Sequence, residues 1–486
     1  MRRRLSCKLT CVLLGLLCSF TALSTFTLDT LQAQEKLESS TSQLSTAKLD
    51  NGLELVVLED HSVPIVTIEI AVKNGAYTEP AEFNGLSHLY EHMFFKSNAV
   101  IPSQEAYLKR MRELGIIFNG TTSTERVNYF FTLPSQNLAQ GMEFMRDAIV
   151  TPKFDPEEFK KEIQVVIGEV DRNESNPYYW LGQAVDAKVW HTHPTRKDSL
   201  GDRATITSST VEKMKVMQER YYVPNNSALF IAGDVTMEEA KKLAEDLFKS
   251  WKPSAKDPHV TYKVPAHPPI KKSESVIVTK DVKVPYLTIV MHGPSVTSDP
   301  KATFAADVLS YILAQPTSKF YKNLVESGVT LGAGMSYFTQ AHTGPISVSA
   351  QVPPGQVKDA FKAILKEIYK LTDADYYSDE QLESAKEILA VESIYDQEKT
   401  SSVIHSISFW WAVAGIDYYQ NYIDNLKAVS RQDISNYVKT YIWNKPFIVG
   451  LLTSTDAATM EGLTEESLNA LILEVEEEVK ATSASK

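Results

Sequence analysis

The chain has 486 residues, 43% of them hydrophobic, with 49 Lys and Arg against 61 Asp and Glu. That length foresees two or three domains with ample core, and a net charge of −12 excludes a binder of nucleic-acid backbone. The three cysteines, Cys7, Cys11 and Cys18, all fall near the N-terminus, so thiolate and disulfide chemistry go with that segment if it is removed.

In chain order, Arg2, Arg3, Arg4 and Lys8, an apolar run from Leu9 to Leu17, and Leu31-Gln32-Ala33 read as a secretory leader over residues 1–33. A periplasmic protein is expected, and no later stretch of about 20 apolar residues predicts a membrane span. Residues 34–46, polar and rich in Ser and Thr, are expected to form a flexible start. Strands are predicted over 53–59 and 65–72; in the second, Val66, Ile68, Ile70 and Val72 alternate as in a half-buried strand, closed by Asn74-Gly75. Asp155 as N-cap, Pro156 at the first helical position and Glu157 and Glu158 in the first turn open a helix running to Arg172. A capping box Ser209-x-x-Glu212 opens the next helix, to Tyr222, and a strand over 228–232 and a helix over 236–249 follow.

Five prolines between Pro253 and Pro269, with no hydrophobic period, mark a linker. Beyond it come a strand over 286–291, a helix over 301–313 and a strand pair within 336–351. A second capping box, Ser430-x-x-Asp433, opens a helix to Tyr441, and a strand over 446–452 follows. The corresponding places of the two boxes point to duplication. The expected fold class is α+β: two homologous domains, 47–252 and 273–480, each a mostly antiparallel sheet packed against helices, joined by a Pro-rich linker 253–272 and ending in a tail 481–486.

The stretch from Asn84 to Phe94 contains His88-x-x-Glu91-His92. On a helix, positions i and i+4 share a face, so both imidazoles reach one cation with Glu91 beside them. Leu86, Leu89, Tyr90 and Met93 supply the packing. Two neutral imidazoles on Zn²⁺ and a glutamate that deprotonates water are served by this spacing. A helix with two partly buried, hydrogen-bonded histidines has the same pattern. Without cysteine, any further ligand must be His, Asp or Glu. Glu162 and Glu169 share a face of the helix opened by Asp155, in an otherwise apolar stretch, and a metal with its imidazoles is one partner that such carboxylates can find.

These residues, with Glu169 following His92 after 76 others, resemble the pitrilysin or insulinase family (M16) of inverted-motif zinc peptidases. The likeness extends through Asn51-Gly-Leu, Gly85-Leu-Ser-His, Phe118-Asn119-Gly-Thr-Thr-Ser, Tyr129-Phe, Val165-Val-Ile-Gly-Glu169, Asn176-Pro177, Gly201, Tyr222-x-Pro-Asn-Asn and Gly233-Asp234. It implies zinc held by His88, His92 and Glu169, Glu91 as general base, and Glu162 orienting a ligand. It also implies an edge strand at Asn119, Gly120 and Thr121 along which an extended peptide substrate pairs, and a chamber enclosed by two subunits.

Active members of the family usually carry an Arg and, seven residues later, a Tyr in the second domain, where Val325 and Gly332 stand here. Neither can donate to an oxyanion, and Arg431 is the one arginine after Arg220. A heterodimer with a homologous subunit that supplies the Arg and Tyr is therefore expected. The alternative is a homodimer using donors such as Tyr321 or Tyr337, and a non-catalytic assembly subunit or a dedicated processing peptidase also fits the pattern. His191-Thr-His193 is assigned a structural or surface role, and Trp410-Trp411 a role in core or interdomain packing.

Overall fold

The structure, a computed structural model, describes residues 44–395 and 399–484; the expected leader lies outside the described residues. Leu44–Lys48 (β1), Glu54–Glu59 (β2), Ile65–Val72 (β3), Ile117–Thr122 (β4), Val127–Pro134 (β5) and Ser227–Gly233 (β6) form a six-stranded sheet in the order β1-β2-β6-β3-β5-β4. Glu274–Thr279 (β7), Tyr286–His292 (β8), Gly332–Tyr337 (β9), Pro345–Gln351 (β10) and Ile448–Thr453 (β11) form the second, ordered β7-β11-β8-β10-β9. The second order repeats the first without β1. Each sheet has one parallel pair, β2 with β6 and β7 with β11, and is otherwise antiparallel.

Three local readings need correction. Residues 44–46 are not a flexible start but part of β1, paired from Leu44 opposite Leu58 to Lys48 opposite Glu54; a polar edge strand held by backbone pairing carries no hydrophobic signal. The helix Val211–Tyr221 is capped by Thr210, whose side chain accepts from Lys213 N, one residue beyond the expected Ser209. The box at Ser430 and Asp433 is formed with both of its hydrogen bonds. Residues 481–484, expected as tail, end the helix Glu465–Ala484. Within the Pro-rich stretch, His259 Nε2 lies 3.1 Å from both Lys73 O and Asn226 Oδ1.

β3 is buried on both faces rather than one. Val66, Ile68, Ile70 and Val72 meet the core that includes Leu86, Leu89, Tyr90 and Met93. On the other face, Ala71 joins Val56, Ala228 and Phe230 against Val403, Ile404, Ile407 and Trp411 of the helix Thr400–Val413. That helix comes from the second half of the sequence. Reciprocally, Leu181, Val185 and Val189 of the helix Pro177–Val189, from the first half, pack on Val290, Ile448 and Leu452 of the second sheet. Gly450 in β11 makes the close approach possible: a Cβ there would meet Val185 Cγ2 at 2.4 Å. The two sheets thus exchange covering helices.

The exchange carries a buried polar cluster. Glu69 of β3, fully buried, accepts from His405 Nδ1 and Ser408 Oγ of the exchanged helix and from Asn128 Nδ2 at 2.8 Å. Arg126 Nη1 donates to Ser408 Oγ and to the His405 carbonyl. Tyr311, on the helix Pro300–Ala314 between β8 and β9, donates through its hydroxyl to Glu392, 81 residues on. The same separation divides His88 from Glu169.

Candidate metal centre

The helix Leu86–Phe94 begins at Gly85, whose left-handed φ of 86° suits glycine, and no side chain of that residue caps it. Glu79 does the work instead: its two carboxylate oxygens accept from Gly85 N at 2.8 Å and Ser87 N at 2.6 Å. Negative charge at a helix N-terminus satisfies free amides and complements the dipole. Burial nevertheless pushes the Glu79 pKa up to about 7, against the hydrogen bonds from Ser87 and Gly85. Asn84 anchors the entry, donating to the carbonyls of Thr195 and Asp198 and accepting from Asp202 N. With Leu86, Leu89, Tyr90 and Met93 fully buried, helical period leaves His88, Glu91 and His92 on the opposite face.

The third residue arrives on the helix Pro156–Glu174. Asp155 caps it by accepting from Glu157 N and Glu158 N, and Phe159, Ile163, Val166 and Val170 bury its inner side. Its turns bring Glu169 and Glu162 to the histidines. His88 Nε2 and His92 Nε2 are 3.2 Å apart, and Glu169 Oε2 lies 3.4 Å from the first and 3.7 Å from the second. Three donors at ordinary zinc distances in a tetrahedral array stand about 3.4 Å from one another. The triangle therefore fits a small N/O-liganded cation, and it is the one such group found among the described residues.

Electrostatics differ between the two histidines. Burial, with His92 second, pushes the His88 pKa down to about 4, so its imidazole is neutral at neutral pH, as ligation requires. Burial works against charge on His92, yet the Glu162 hydrogen bond and the nearby carboxylates outweigh it and raise that pKa. Glu162 Oε1 lies 2.8 Å from His92 Nδ1, and Glu162 Oε2 accepts from Lys96 Nζ at 2.6 Å. The first contact fixes the proton on Nδ1 and turns Nε2 inward. Burial opposes ionisation of Glu162, but the hydrogen bonds from His92 and Lys96 prevail and lower its pKa.

Glu91 sits between this triangle and the edge strand. Its Oε2 accepts from Thr122 Oγ1 at 2.6 Å. Burial raises its pKa, opposed by the Thr122 hydrogen bond. A Cβ at Gly120 would meet Glu91 Cγ at 2.9 Å and Oε1 at 3.1 Å, so the glycine of β4 leaves room for the carboxylate. Asn119, Gly120 and Thr121 lie on β4, the sheet's last strand, paired on one side only with β5. Asn119 Oδ1 accepts from Gly120 N. Glu79, Lys96 and Thr122 are site residues that the sequence reading did not single out. Lys96 stands one turn beyond His92, which was a usable signal; Glu79 lies outside any periodic segment, and nothing local marks it.

Residues 55–203 match the family model described as Insulinase (Peptidase family M16), and residues 208–389 match the model described as Peptidase M16 inactive domain. The chain belongs to the pitrilysin/insulinase family, M16. This M16 chain is 25% identical over 372 residues to an uncharacterised zinc protease of Rickettsia felis, covering 76% of this chain and 87% of that protein. With zinc protease PqqE of Helicobacter pylori it shares 26% identity over 232 residues, 47% of this chain and about half, 52%, of that relative. The crystal structure of a protease from Helicobacter pylori superposes with a TM-score of 0.76 at 20% identity, covering 85% of this chain and 99% of that one. The first half of the periplasmic protease PqqL from Escherichia coli gives 0.74 at 17%, covering 90% and 96%. At those identities the likeness is one of fold.

In the second half of this M16 chain, Val325 packs partly buried against the core and Gly332 opens β9. Arg431 is committed elsewhere, to Asp379 Oδ1 and the Tyr377 carbonyl. The Tyr337 hydroxyl donates to the Pro294 carbonyl at 3.0 Å, and Tyr321 ends the turn Lys319–Tyr321. The rings of His191 and His193 gather around His267, with centroids 5.2 and 6.3 Å away. Trp410 stacks on Tyr418, while Trp411 joins the face between β3 and the exchanged helix.

Proposed function

We propose that this chain is the metal-bearing subunit of a zinc metallo-endopeptidase that hydrolyses extended peptides or small unfolded polypeptides. The observation that carries the reading is the donor triangle of His88, His92 and Glu169 with Glu91 beside it, against an open edge strand. His88, His92 and Glu169 would hold a zinc ion, which would supply Lewis acidity toward a peptide carbonyl and a water molecule. The peptide lies along β4 at Asn119, Gly120 and Thr121 as an added strand. Thr122 occupies Glu91 Oε2, leaving Oε1, on the Gly120 side, to take the proton of the attacking water and return it to the leaving amine. Glu162, itself held by Lys96, keeps a proton on His92 Nδ1 and so turns Nε2 toward the metal position.

The oxyanion donors are expected from a homologous partner, since Val325 and Gly332 offer none. A homodimer is the alternative assembly. A periplasmic setting is supported by the basic-then-apolar leader and by a fold neighbour titled a periplasmic protease; no helix among the described residues is long and apolar enough to cross a membrane. The second reading, a non-catalytic assembly subunit, is favoured only by Val325 and Gly332. Peptidase assay with metal analysis separates the two. The chain with zinc alone should turn over peptides poorly, and addition of a homologue carrying the Arg and Tyr should raise the rate; robust turnover without any partner would overturn the heterodimer. Glu91→Gln should keep zinc and lose hydrolysis, and retained hydrolysis would remove Glu91 from the mechanism.

A further inference from the structure

Gly201 is distant in sequence from the metal donors, yet it touches the helix that carries two of them. Its φ is left-handed, at 84°, and it packs backbone to backbone on Gly85: a Cβ on Gly201 would meet Gly85 Cα at 2.4 Å, and one on Gly85 would meet Leu200 O at 2.9 Å. Two glycines thus let residues 198–201 lie against the first turn of Leu86–Phe94. Several bonds hold the loop there. Asp198 Oδ1 accepts from Leu200 N at 3.1 Å and Gly201 N at 3.4 Å, closing the turn. Asn84 bonds the carbonyls of Thr195 and Asp198 and the amide of Asp202, and Lys197 Nζ donates across to the second half, to Gln340 Oε1 and the Thr343 carbonyl.

On the metal side, His88 Nε2 is directed at His92 Nε2 and Glu169 Oε2, which leaves Nδ1. That nitrogen is buried, and among the described residues no side chain or backbone group meets it at ordinary hydrogen-bond geometry. An imidazole that ligates through Nε2 carries its proton on Nδ1, and a buried N–H without an acceptor is costly. His92 meets this need with Glu162. For His88 the group at hand is the backbone of Leu200: burial and His92 lower the pKa of His88, and the Leu200 carbonyl, placed to accept a ring proton, opposes them.

We propose that the Leu200 carbonyl is the acceptor for the His88 Nδ1–H, and that Gly201 and Asp198 are positioning residues that hold it there by seating the loop on Gly85. Resting on the ligand role proposed above for His88, this arrangement fixes the ring's tautomer and turns Nε2 toward the metal position, as Glu162 does for His92. A side chain at residue 201 would lift the loop away from the helix, and an Asp198 without its carboxylate would let the turn open.

Proton NMR of the cobalt-loaded full chain tests it, because a paramagnetic ion shifts the ring N–H protons of its own imidazole ligands out of the crowded spectrum. Two exchangeable shifted signals are expected; the one that moves in Glu162→Gln belongs to His92, the other to His88. The His88 signal should persist in water at neutral pH. In Gly201→Ala and in Asp198→Ala it should be lost to solvent exchange, and zinc affinity, read by competition with a chelator, should fall at least about tenfold, the effect an outer hydrogen-bond partner has on a metal site. Asp198→Asn keeps an oxygen for both amides and should retain signal and affinity. Asp198 is partly exposed, so its variants keep the test decisive if Gly201→Ala fails to fold. A His88 signal already lost to exchange in the wild type, or one that survives with unchanged zinc affinity in folded Gly201→Ala or in Asp198→Ala, would overturn the proposal and leave the metal reading intact. Failure of both cobalt and zinc to bind the wild type would overturn the metal reading and the proposal with it.

Discussion

Gly120 and Glu91 compete for the same space, and the absence of one side chain lets the other reach its place. Gly120→Ala puts a methyl 2.9 Å from Glu91 Cγ, too close to be met without moving the carboxylate. Displacement of a catalytic group by about 1 Å can cost 10²-fold, so kcat of the assembled peptidase should fall tenfold to about a hundredfold while zinc content stays unchanged, as read by steady-state kinetics with metal analysis. Glu162→Gln makes the opposite separation. It weakens the hydrogen bond that turns His92 inward, and loss of such a support typically costs about 10–100-fold in metal affinity, measurable by competition with a chelator. Helical spacing made His88, Glu91 and His92 legible as one face and Glu162 and Glu169 as another, while the place of Glu169 as third ligand was only implied by the family resemblance. Glu79 was not legible, because its partners at Gly85 and Ser87 depend on how a loop folds back on the helix.

At the scale of elements, caps and periods located several strands and helices to within a few residues, but missed others such as Leu138–Val150 and Val357–Lys370 and could not say which sheet a helix would cover. An apolar stripe on Thr400–Val413 announces burial without naming its partner, and β3 was read as half-buried for that reason. The second half also keeps a charge problem inside one helix. Asp307, on Pro300–Ala314, accepts from the Tyr422 hydroxyl at 2.7 Å, and burial pushes its pKa up to about 7 against that hydrogen bond. Because the folded pKa lies above the unfolded one, the native state holds a proton that the unfolded chain has released, and stability falls as pH rises from about 4 through 7 before levelling. Asp307→Asn is neutral throughout, so denaturation midpoints at pH 4.5 and 7.5 should lie closer together in the variant than in the wild type.

Across the whole molecule, two sheets share one strand order but carry different side chains on the helices beside them. Where one half brings His88 and Glu169 together as prospective ligands, the other closes Tyr311 on Glu392 with a hydrogen bond, an arrangement that offers a metal no imidazole. The halves are joined through the cluster at Glu69, whose carboxylate meets His405 and Ser408 from the other half. Glu69→Ala leaves Arg126 without its nearest carboxylate, and breaking a buried pair from one side costs about 3–5 kcal/mol. We expect that loss in urea denaturation. We also expect the wild type to unfold in one transition, since neither sheet keeps both of its faces covered without the other half.

The exchanged helices have a mechanical consequence. With Pro177–Val189 seated on the second sheet and Thr400–Val413 on the first, swinging the halves apart would strip a layer from each, so the chain has no internal line along which to open cheaply. A bivalve needs its hinge between the shells rather than within one of them. In the proposed two-subunit peptidase, admission and release of a peptide would then be a rigid-body motion of this whole chain against its partner.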